Sequence, residues 1–252
     1  MNRYGLLGRK LGHSQSKIIH EYFFNLHNVS ATYDLIEIEE EEIKTKIDLI
    51  KKGYYQGFNV TVPYKEKVIP YLDILSDSAR KIGAVNTIYL KDGLLIGDNT
   101  DYLGFIEELK YLDLDLQDKN VYVLGSGGSS KAIHYALQKI NAKPIIVSRD
   151  NKKGITYDEL YTMNHFDVIV NTTPVGMYPN VDGAILSEDV VSKADLCIDI
   201  ICNPKQTKFL QYAKCGYNGL YMLIFQAIHA QKLWGFNGEF EVDNLYQKLW
   251  FT

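Results

Sequence analysis

The chain has 252 residues, 46% of them hydrophobic, and a formal net charge of -4 at pH 7. This length and apolar content are enough for one large core or two ordinary ones. The negative charge gives no indication of a nucleic-acid-binding surface, and no apolar run approaches the roughly 18 residues that span a bilayer, so we expect neither a nucleic-acid nor a membrane partner.

Compartment and metal content are also constrained by the sequence. The N-terminus MNRYGLLGRK lacks a signal-peptide hydrophobic segment, so we expect a cytoplasmic protein. The three cysteines are an odd number without a CxxC pair, which argues against a disulfide framework and a zinc site. His13, His20 and His27 recur at regular intervals, but on a helix they would lie about 10 Å apart, too far to share one ion. We therefore predict no metal.

The first part of the chain alternates predicted strands with predicted helices. The strands are RYGLLG, ATYDLIEI and FNVTV, and the intervening helices are QSKIIHEYFFNLHN and EEEEIKTKIDLIKKG, the second of which ends at Gly53. This βαβαβ order predicts a largely parallel sheet with helices on its faces. Residues 86–99 then form two apolar runs around Lys91-Asp92-Gly93, which predicts a hairpin.

The second part of the chain contains a self-contained βαβ unit. After a predicted helix that begins near Asp101 and the polar turn DLDLQDKN, the segment KNVYVLGSGGSSKAIHYALQKINAKPIIVSR reads as strand, glycine turn, helix and strand. Further strands are predicted at FDVIVNTT and ADLCIDII. We therefore predict two α/β domains, with the boundary inside the helix near Asp101.

The glycine turn indicates a dinucleotide site. Gly125, Gly127 and Gly128 lie between the strand VYVL and the helix that Ser129 and Ser130 open. Glycines there let the chain turn tightly and let its amide groups approach a pyrophosphate at the positive end of the helix dipole. Glycines also close ordinary strand-to-helix turns, so it is the βαβ context that favours this interpretation.

The end of the following strand bears on which dinucleotide is bound. NAD enzymes usually place an acid there for the ribose hydroxyls, and NADP enzymes a base for the 2′-phosphate. Arg149 can stack on adenine and pair with phosphate, and Lys152 and Lys153 add positive charge. Asp150 favours NAD instead. The pattern favours NADP over NAD, with a solvated polar loop as the alternative.

Two charged residues stand at element ends in the first part of the chain. Lys65 follows the strand in FNVTVPYKEKV, and Asp101 opens a helix in GDNTDYLGF. Each has an ordinary explanation, a solvated lysine and a helix-capping aspartate. Other polar residues accumulate at strand and hairpin ends, namely Ser14, Ser16, Thr61 and Asn86. Such ends line the ligand crevice of open α/β sheets, so we expect a small polyhydroxylated substrate.

A nicotinamide cofactor at such a site predicts hydride transfer to or from a carbon that bears a hydroxyl group. The oxygen must then gain or lose a proton. A lysine does this as a general acid or base, or stabilises the developing oxyanion if it stays protonated. Because a nearby carboxylate shares the proton, we assign this role to Lys65 and Asp101 as a pair.

Several motifs together resemble the shikimate dehydrogenase family over nearly the whole chain. In the family's order they are YGLLGRKLGHSQS, NVTVPYKE, GAVNT, GDNTD, VLGSGGSSKA, NTTPVGM, NPKQT and MLIFQA. The resemblance implies reversible, NADPH-dependent reduction of 3-dehydroshikimate to shikimate in aromatic amino-acid and chorismate biosynthesis. It also implies an N-terminal, mostly parallel-sheet substrate domain over residues 1–101 and a Rossmann-like NADP-binding domain over 102–229. A catalytic cleft is expected between them, with helices at about 230–252 packed back on the first domain.

The resemblance also assigns individual residues. Lys65 and Asp101 correspond to the catalytic pair. The positions that hold the hydroxyls and carboxylate of shikimate are Ser14, Ser16, Thr61, Asn86 and Gln226. The positions that contact NADP are Asp77, Gly125, Ser126, Gly127, Gly128, Ser129, Ser148, Arg149, Lys153, Ile200, Gly219 and Met222.

The chain departs from the family pattern at several positions. Lys17 replaces a usual proline, and Cys202 replaces a tyrosine that touches the substrate carboxylate. Ser148 and Asp150 replace asparagine and threonine on either side of Arg149, and the segment that follows is shorter than usual. These departures leave two alternatives open, an NAD-linked quinate/shikimate dehydrogenase and a non-catalytic dinucleotide- or ligand-binding relative.

Two further expectations concern the substrate and the assembly. Ser14 and Ser16 are both present, which favours shikimate, because quinate carries an extra hydroxyl group that needs room there. The sequence does not fix the oligomeric state, and a homodimer is compatible with it.

Overall fold

The computed structural model describes residues 1–12 and 14–251. His13, one of the regularly spaced histidines, lies outside the described residues. The strands are β1 Asn2–Gly8, β2 Ala31–Glu37, β3 Gly57–Val60, β4 Ile74–Leu75, β5 Thr87–Lys91, β6 Leu94–Asp98, β7 Asn120–Leu124, β8 Lys143–Val147, β9 Phe166–Asn171, β10 Ala194–Asp199 and β11 Gly216–Asn218. The helices are α1 Ser16–Leu26, α2 Ile43–Lys51, α3 Asp77–Ile82, α4 Asp101–Tyr111, α5 Gly128–Lys139, α6 Tyr157–Tyr161, α7 Glu188–Val191, α8 Lys208–Gln211, α9 Leu220–Leu233 and α10 Val242–Trp250.

The chain divides into two compact units. The first unit consists of residues 1–104 and 224–252, and the second of residues 105–223, so the boundaries fall within α4 and α9. Among the described residues, no helix combines the length and the apolar character needed to cross a membrane.

The first unit contains a six-stranded sheet in the order β2-β1-β3-β5-β6-β4. Strand β1 pairs in parallel with β2 and β3, and β4 with β6. The predicted hairpin is present as antiparallel β5 and β6, with positive φ angles at Asp92 and Gly93 in its turn. Its open end pairs Thr87 with Asp98. The sheet is therefore mixed, and the hairpin brings the GAVNT and GDNTD motifs side by side.

The core of the first unit follows from simple periodicity. Helix α2 buries Ile43, Ile47 and Ile50, spaced as one face of a helix, and β3 is buried along its length. The predicted helix over the acidic run begins later than expected, because residues 40–42 form a short 3-10 turn before Ile43. On the same sheet, Trp234 stacks on Tyr4 with ring centroids 4.5 Å apart.

The second unit contains a parallel five-stranded sheet in the order β11-β10-β9-β7-β8. Its buried cluster includes Leu124, Val147, Ile169 and Phe209. Parallel strands place their carboxyl ends at one edge of the sheet. That edge therefore carries the turns after β7, β8 and β10, which contain predicted cofactor contacts. The α/β architecture, with one mixed and one parallel sheet, agrees with the predicted fold class.

Candidate active site

Lys65 and Asp101 meet in the first unit. Lys65 Nζ donates a hydrogen bond to Asp101 Oδ2 at 2.7 Å, and the two side chains are only 13% and 7% exposed. Lys65 is held by its backbone, because its carbonyl accepts from the amide of Val85 at 2.7 Å, and by Tyr64, whose hydroxyl donates to the carbonyl of Ile38. Lys65 is therefore not a solvated surface lysine.

Asn86 bonds to the other oxygen of Asp101. Asn86 Nδ2 donates to Asp101 Oδ1 at 2.7 Å and lies 3.4 Å from Gln226 Oε1. Both oxygens of Asp101 thus accept from side chains, although the residue is the first of α4, where a capping role was the alternative. Because Gln226 and Asn86 are also buried, the structure brings these four predicted site residues together.

The three hydroxyl residues lie on the same edge of the first sheet. Ser14 and Ser16 follow β1, and Thr61 follows β3, its parallel neighbour, in which Leu7 pairs with Val60. Ser16 is buried, whereas Ser14 and Thr61 are half-buried. The Ser14 hydroxyl accepts from the Ser16 amide at 3.3 Å. These side chains can offer hydroxyl groups to a polyhydroxylated ligand at the strand ends.

The predicted pyrophosphate loop has the backbone that a phosphate requires. Gly125 has a φ of +110°, and a Cβ on it would lie 3.0 Å from Thr172 Oγ1, so glycine is needed there. Gly127 is the N-cap of α5 and provides no side-chain cap, and a Cβ on it would meet nothing within 4 Å. The first amides of a 12-residue helix are therefore open to a phosphate. The other predicted residues of this turn are Ser126, Gly128 and Ser129.

The loop after β8 combines a buried serine with exposed cations. Ser148 is buried and donates to Ser126 Oγ at 3.4 Å, whereas Arg149 and Lys153 are exposed. The Asp150 carboxylate, which had favoured NAD, accepts from the Lys152 amide at 3.1 Å and closes a local turn. Asp150 thus has a structural role in the loop.

Sequence reasoning missed Asp199, at the end of β10. It accepts from Asn171 Nδ2 at 3.1 Å, from the Ile201 amide at 3.0 Å and from Thr207 Oγ1 at 2.6 Å. Burial raises the pKa of Asp199 to about 7, although these hydrogen bonds favour the carboxylate. Asp199 ties the turn after β9 to the segment with Ile200. The only sequence signal was an acid at the end of an apolar strand.

Sequence reasoning also missed Glu108, which supports the start of α9. Glu108 is 1% exposed, and its Oε1 accepts from the Met222 amide at 3.3 Å. Burial raises the pKa of Glu108 to about 8, which favours the neutral carboxyl group. Gly219, just before α9, is buried against the backbone of Ile200, where a Cβ would overlap. These contacts position Met222, Gly219 and Ile200 in the second unit.

Two other groups of residues give weaker evidence of a binding site. Asp77, a predicted cofactor residue, is exposed in the first turn of α3, where its carboxylate lies 3.5 Å from Arg80 Nη1. The ligand atoms of His165, Asp167 and Asp195 lie within 4.8 Å of one another. Because exposed acidic groups commonly lie this close without an ion, that arrangement does not establish a metal site.

Comparison with known proteins connects these features. A family model described as the shikimate dehydrogenase substrate binding domain matches residues 6–88. A protein of Clostridium beijerinckii named shikimate dehydrogenase (NADP(+)) is 42% identical over 261 residues, which cover 97% of this chain and 94% of that protein. The crystal structure of shikimate dehydrogenase 1 from Peptoclostridium difficile is 41% identical with a TM-score of 0.92, over 99% of this chain and 98% of that one.

A third relative was crystallised with ligands. The shikimate 5-dehydrogenase of Thermus thermophilus, in complex with NADP(H) and shikimate, is 27% identical with a TM-score of 0.89, over 99% of this chain and 98% of that one. The family model, the full-length identity and the shared fold agree with the motif resemblance. This chain belongs to the shikimate dehydrogenase family.

Proposed function

We propose that this chain catalyses the reversible, NADPH-dependent reduction of 3-dehydroshikimate to shikimate in aromatic amino-acid and chorismate biosynthesis. The observation that carries the proposal is the buried pair of Lys65 and Asp101, joined at 2.7 Å and flanked by Asn86, at a sheet edge lined with hydroxyl groups. A lysine and a carboxylate in hydrogen-bond contact are suited to exchange a proton with a substrate oxygen. The NADP(+)-dependent relatives support the same activity.

The cofactor is NADP, and the residues of the second unit fit it. The open amides at the start of α5 would hold the pyrophosphate, and Arg149 the adenosine phosphate. When bound, NADPH supplies the hydride that adds to the carbonyl carbon of the substrate. Gly219, Met222 and Ile200 would shape the place of the nicotinamide ring. Asp77 stays a proposed cofactor neighbour.

The chain's own residues manage the proton. As the carbonyl carbon accepts the hydride, its oxygen gains negative charge and takes a proton from the pair of Lys65 and Asp101, which yields the hydroxyl group of shikimate. In the reverse direction the pair accepts that proton. The ammonium group of Lys65 also stabilises the developing oxyanion. Because the two groups share one hydrogen bond, the proton belongs to the pair.

The remaining polar residues of the first unit hold the substrate in this proposal. Ser14, Ser16, Thr61 and Gln226 offer hydroxyl and amide groups to the hydroxyls and carboxylate of shikimate. Cys202 cannot supply the hydrogen bond of the tyrosine it replaces, so the serines carry more of the carboxylate binding. We expect a correspondingly higher KM for shikimate.

Domain roles, compartment and assembly are also proposals. The first unit would bind the substrate and the second the dinucleotide. All three cysteines are free, which is compatible with the reducing cytoplasm, our proposed location. We propose a homodimer, since β2 forms an edge of the first sheet at which two copies of the chain can pair. Light scattering in solution tests the assembly.

The activity is tested by following the nicotinamide absorption band with shikimate as substrate, in parallel with NADP⁺ and NAD⁺. We expect turnover with a kcat/KM at least about tenfold higher for NADP⁺, the scale of one charge-assisted hydrogen bond. Quinate, run alongside, should be a poor substrate. Cofactor binding without turnover of either substrate would contradict the proposal and identify a non-catalytic relative, and a preference for NAD⁺ would make Asp150 a ribose ligand.

A further inference from the structure

A buried chain of hydrogen bonds runs from Asp101 back into the first sheet. Behind Asn86, the hydroxyl of Thr87 bonds to Asn86 Oδ1 at 3.0 Å, and Asn59 Nδ2 bonds to Thr87 Oγ1 at 3.1 Å. Tyr33 Oη then bonds to Asn59 Oδ1 at 2.8 Å. All of these side chains are 5% exposed or less. The chain links strands β2, β3 and β5 to the first residue of α4.

One unambiguous donor determines which atom donates and which accepts in each of these hydrogen bonds. The backbone amide of Thr100 donates to Asn86 Oδ1 at 2.7 Å, and a backbone N–H can only donate. Asn86 Oδ1 is therefore the acceptor end of its amide, and Nδ2 must face Asp101. This assignment removes the ambiguity of an asparagine side chain, whose oxygen and nitrogen are otherwise interchangeable.

The same logic continues away from Asp101. Thr87 has a single hydroxyl proton, which it donates to Asn86 Oδ1, so its oxygen must accept from Asn59. Asn59 therefore presents Nδ2 to Thr87 and Oδ1 to Tyr33, whose hydroxyl donates. Asn59 Nδ2 also donates to the Asn86 carbonyl at 3.2 Å, which fixes the backbone of the same residue. Each side chain thus has one orientation that satisfies its neighbours.

We propose that Thr87 is a positioning residue that, with Asn59 and Tyr33 behind it, fixes the amide of Asn86 so that Nδ2 rather than Oδ1 faces Asp101. This inference rests on the proposed function, because it assumes that Asp101 and Lys65 carry the proton. Thr87 acts only through Asn86.

The orientation matters because the two ends of the amide have opposite effects on a carboxylate. Nδ2 donates to Asp101 Oδ1, while Oδ2 of the same carboxylate accepts from Lys65. A rotated amide would place its carbonyl oxygen against Asp101 and repel it. Without the Thr87 hydroxyl, Asn86 Oδ1 loses one of its donors and keeps the amide and the more distant hydroxyl of Thr100, while Asn59 Nδ2 loses an acceptor in a buried place. The fraction of correctly arranged pairs should then fall.

The test compares Thr87→Val with Thr87→Ser in the full-length protein. Valine keeps the shape of threonine without the hydroxyl, so we expect kcat for shikimate to fall about 3- to 10-fold, the size of one hydrogen bond, with the KM for NADP⁺ unchanged within about twofold. Serine restores the hydroxyl and should recover kcat to within about twofold of the wild type. Thr32→Val, in the same sheet but outside the chain of bonds, serves as the matched control.

Tyr33→Phe gives a second variant at the far end of the chain of bonds. Only one hydroxyl is removed there, so a smaller loss of kcat, about twofold, is expected in the same direction. A wild-type kcat in Thr87→Val, or no recovery in Thr87→Ser, would overturn the inference. So would an equal rise in the KM for NADP⁺, which would indicate general damage. If the wild-type protein itself fails to turn over shikimate, the proposed function is what fails.

Discussion

The residues proposed for the substrate and those proposed for the cofactor are built in different ways. In the first unit, Lys65, Asp101 and Asn86 are largely buried, and Lys65 and Asn86 each donate to Asp101 at 2.7 Å. In the second unit, Arg149 and Lys153 are exposed, and the predicted pyrophosphate loop offers backbone amides. The first arrangement is held by buried hydrogen bonds between its own side chains, whereas the second presents exposed cations and backbone amides. Substitutions in the first should therefore change kcat, and those in the second the affinity for the cofactor.

The largest effect is expected from breaking the buried pair. Lys65→Ala or Asp101→Asn should lower kcat for shikimate by about 10²-fold or more, the usual scale of acid–base catalysis, because each removes one partner of the proton exchange. The KM for NADP⁺ should change much less. Steady-state kinetics with circular dichroism as a check of folding measures both.

Lys67→Ala is the matched control for Lys65. Lys67 lies two residues further along, is exposed and forms an ion pair with Glu40, so its loss removes a lysine without touching the pair. Surface ion pairs contribute little to stability. A kcat near the wild-type value in Lys65→Ala, or an equal loss in Lys67→Ala, would refute the assigned role.

A smaller effect, on the affinity for NADP⁺ and not on kcat, is expected from the exposed residues of the second unit. Arg149→Ala should raise the KM for NADP⁺ about tenfold while leaving the KM for NAD⁺ and kcat nearly unchanged, because only NADP carries the phosphate that Arg149 would bind. Initial rates at varied concentrations of each cofactor measure the difference.

Lys143→Ala controls for the lost positive charge. Lys143 is exposed at the opposite end of β8, so it tests whether charge anywhere on this strand affects the cofactor. If Arg149→Ala weakens NADP⁺ and NAD⁺ equally, Arg149 does not recognise the phosphate, and the choice of cofactor must lie elsewhere in the loop.

The sequence predicts those features that short-range patterns encode. Ile43, Ile47 and Ile50 recur with the helical period, and Asp92-Gly93 between apolar runs specifies a hairpin turn. The order of strands and helices then predicts largely parallel sheets, and the motifs indicate the family. The predicted ligand contacts of individual side chains stay predictions, although Lys65 and Asp101 do meet.

What the sequence does not reveal depends on distant partners. Asn59 lies within an apolar strand, and nothing nearby indicates that it bonds to Tyr33 or Thr87. Asp199 collects its partners from three separate segments. Glu108 lies in the run IEELK, where charged residues usually indicate a solvated helix face. Each of these polar groups is buried only because of long-range packing, which no local pattern contains.

Glu108, in the second unit, is a buried carboxylic acid that contrasts with Asp101 in the first unit. Asp101 keeps Lys65 beside it, whereas Glu108 Oε2 has no hydrogen-bond partner among the described residues, and burial raises the pKa of Glu108 from 4.5 to about 8. Between these two pH values the native state holds a proton that the unfolded state has released. The free energy of unfolding therefore falls as pH rises through this window, by at most about 1.4 kcal/mol per pH unit for one group.

Glu108→Gln should remove that pH dependence with little effect on kcat. Glutamine does not titrate, and its Oε1 can still accept from the Met222 amide. Relative to the wild type, we expect the Tm of the variant to rise by several degrees between pH 5.5 and pH 8, as up to about 3 kcal/mol would produce in a protein of this size. Asp199, whose pKa is also raised, is present in both proteins and cancels in this difference.

Glu107→Gln, which removes a carboxylate from the neighbouring position of α4, separates burial from net charge. If both variants change the pH dependence of Tm equally, the effect comes from the overall charge and Glu108 is not a special group. If only Glu108→Gln does so, the buried acid is neutral in the native protein at pH 7. The contrast between the buried carboxyl groups of Glu108 and Asp101 then follows from the groups that surround each of them. At Glu108, burial outweighs the single amide donor from Met222, whereas Asp101 has Lys65 Nζ at 2.7 Å and Asn86 Nδ2 at 2.7 Å beside it.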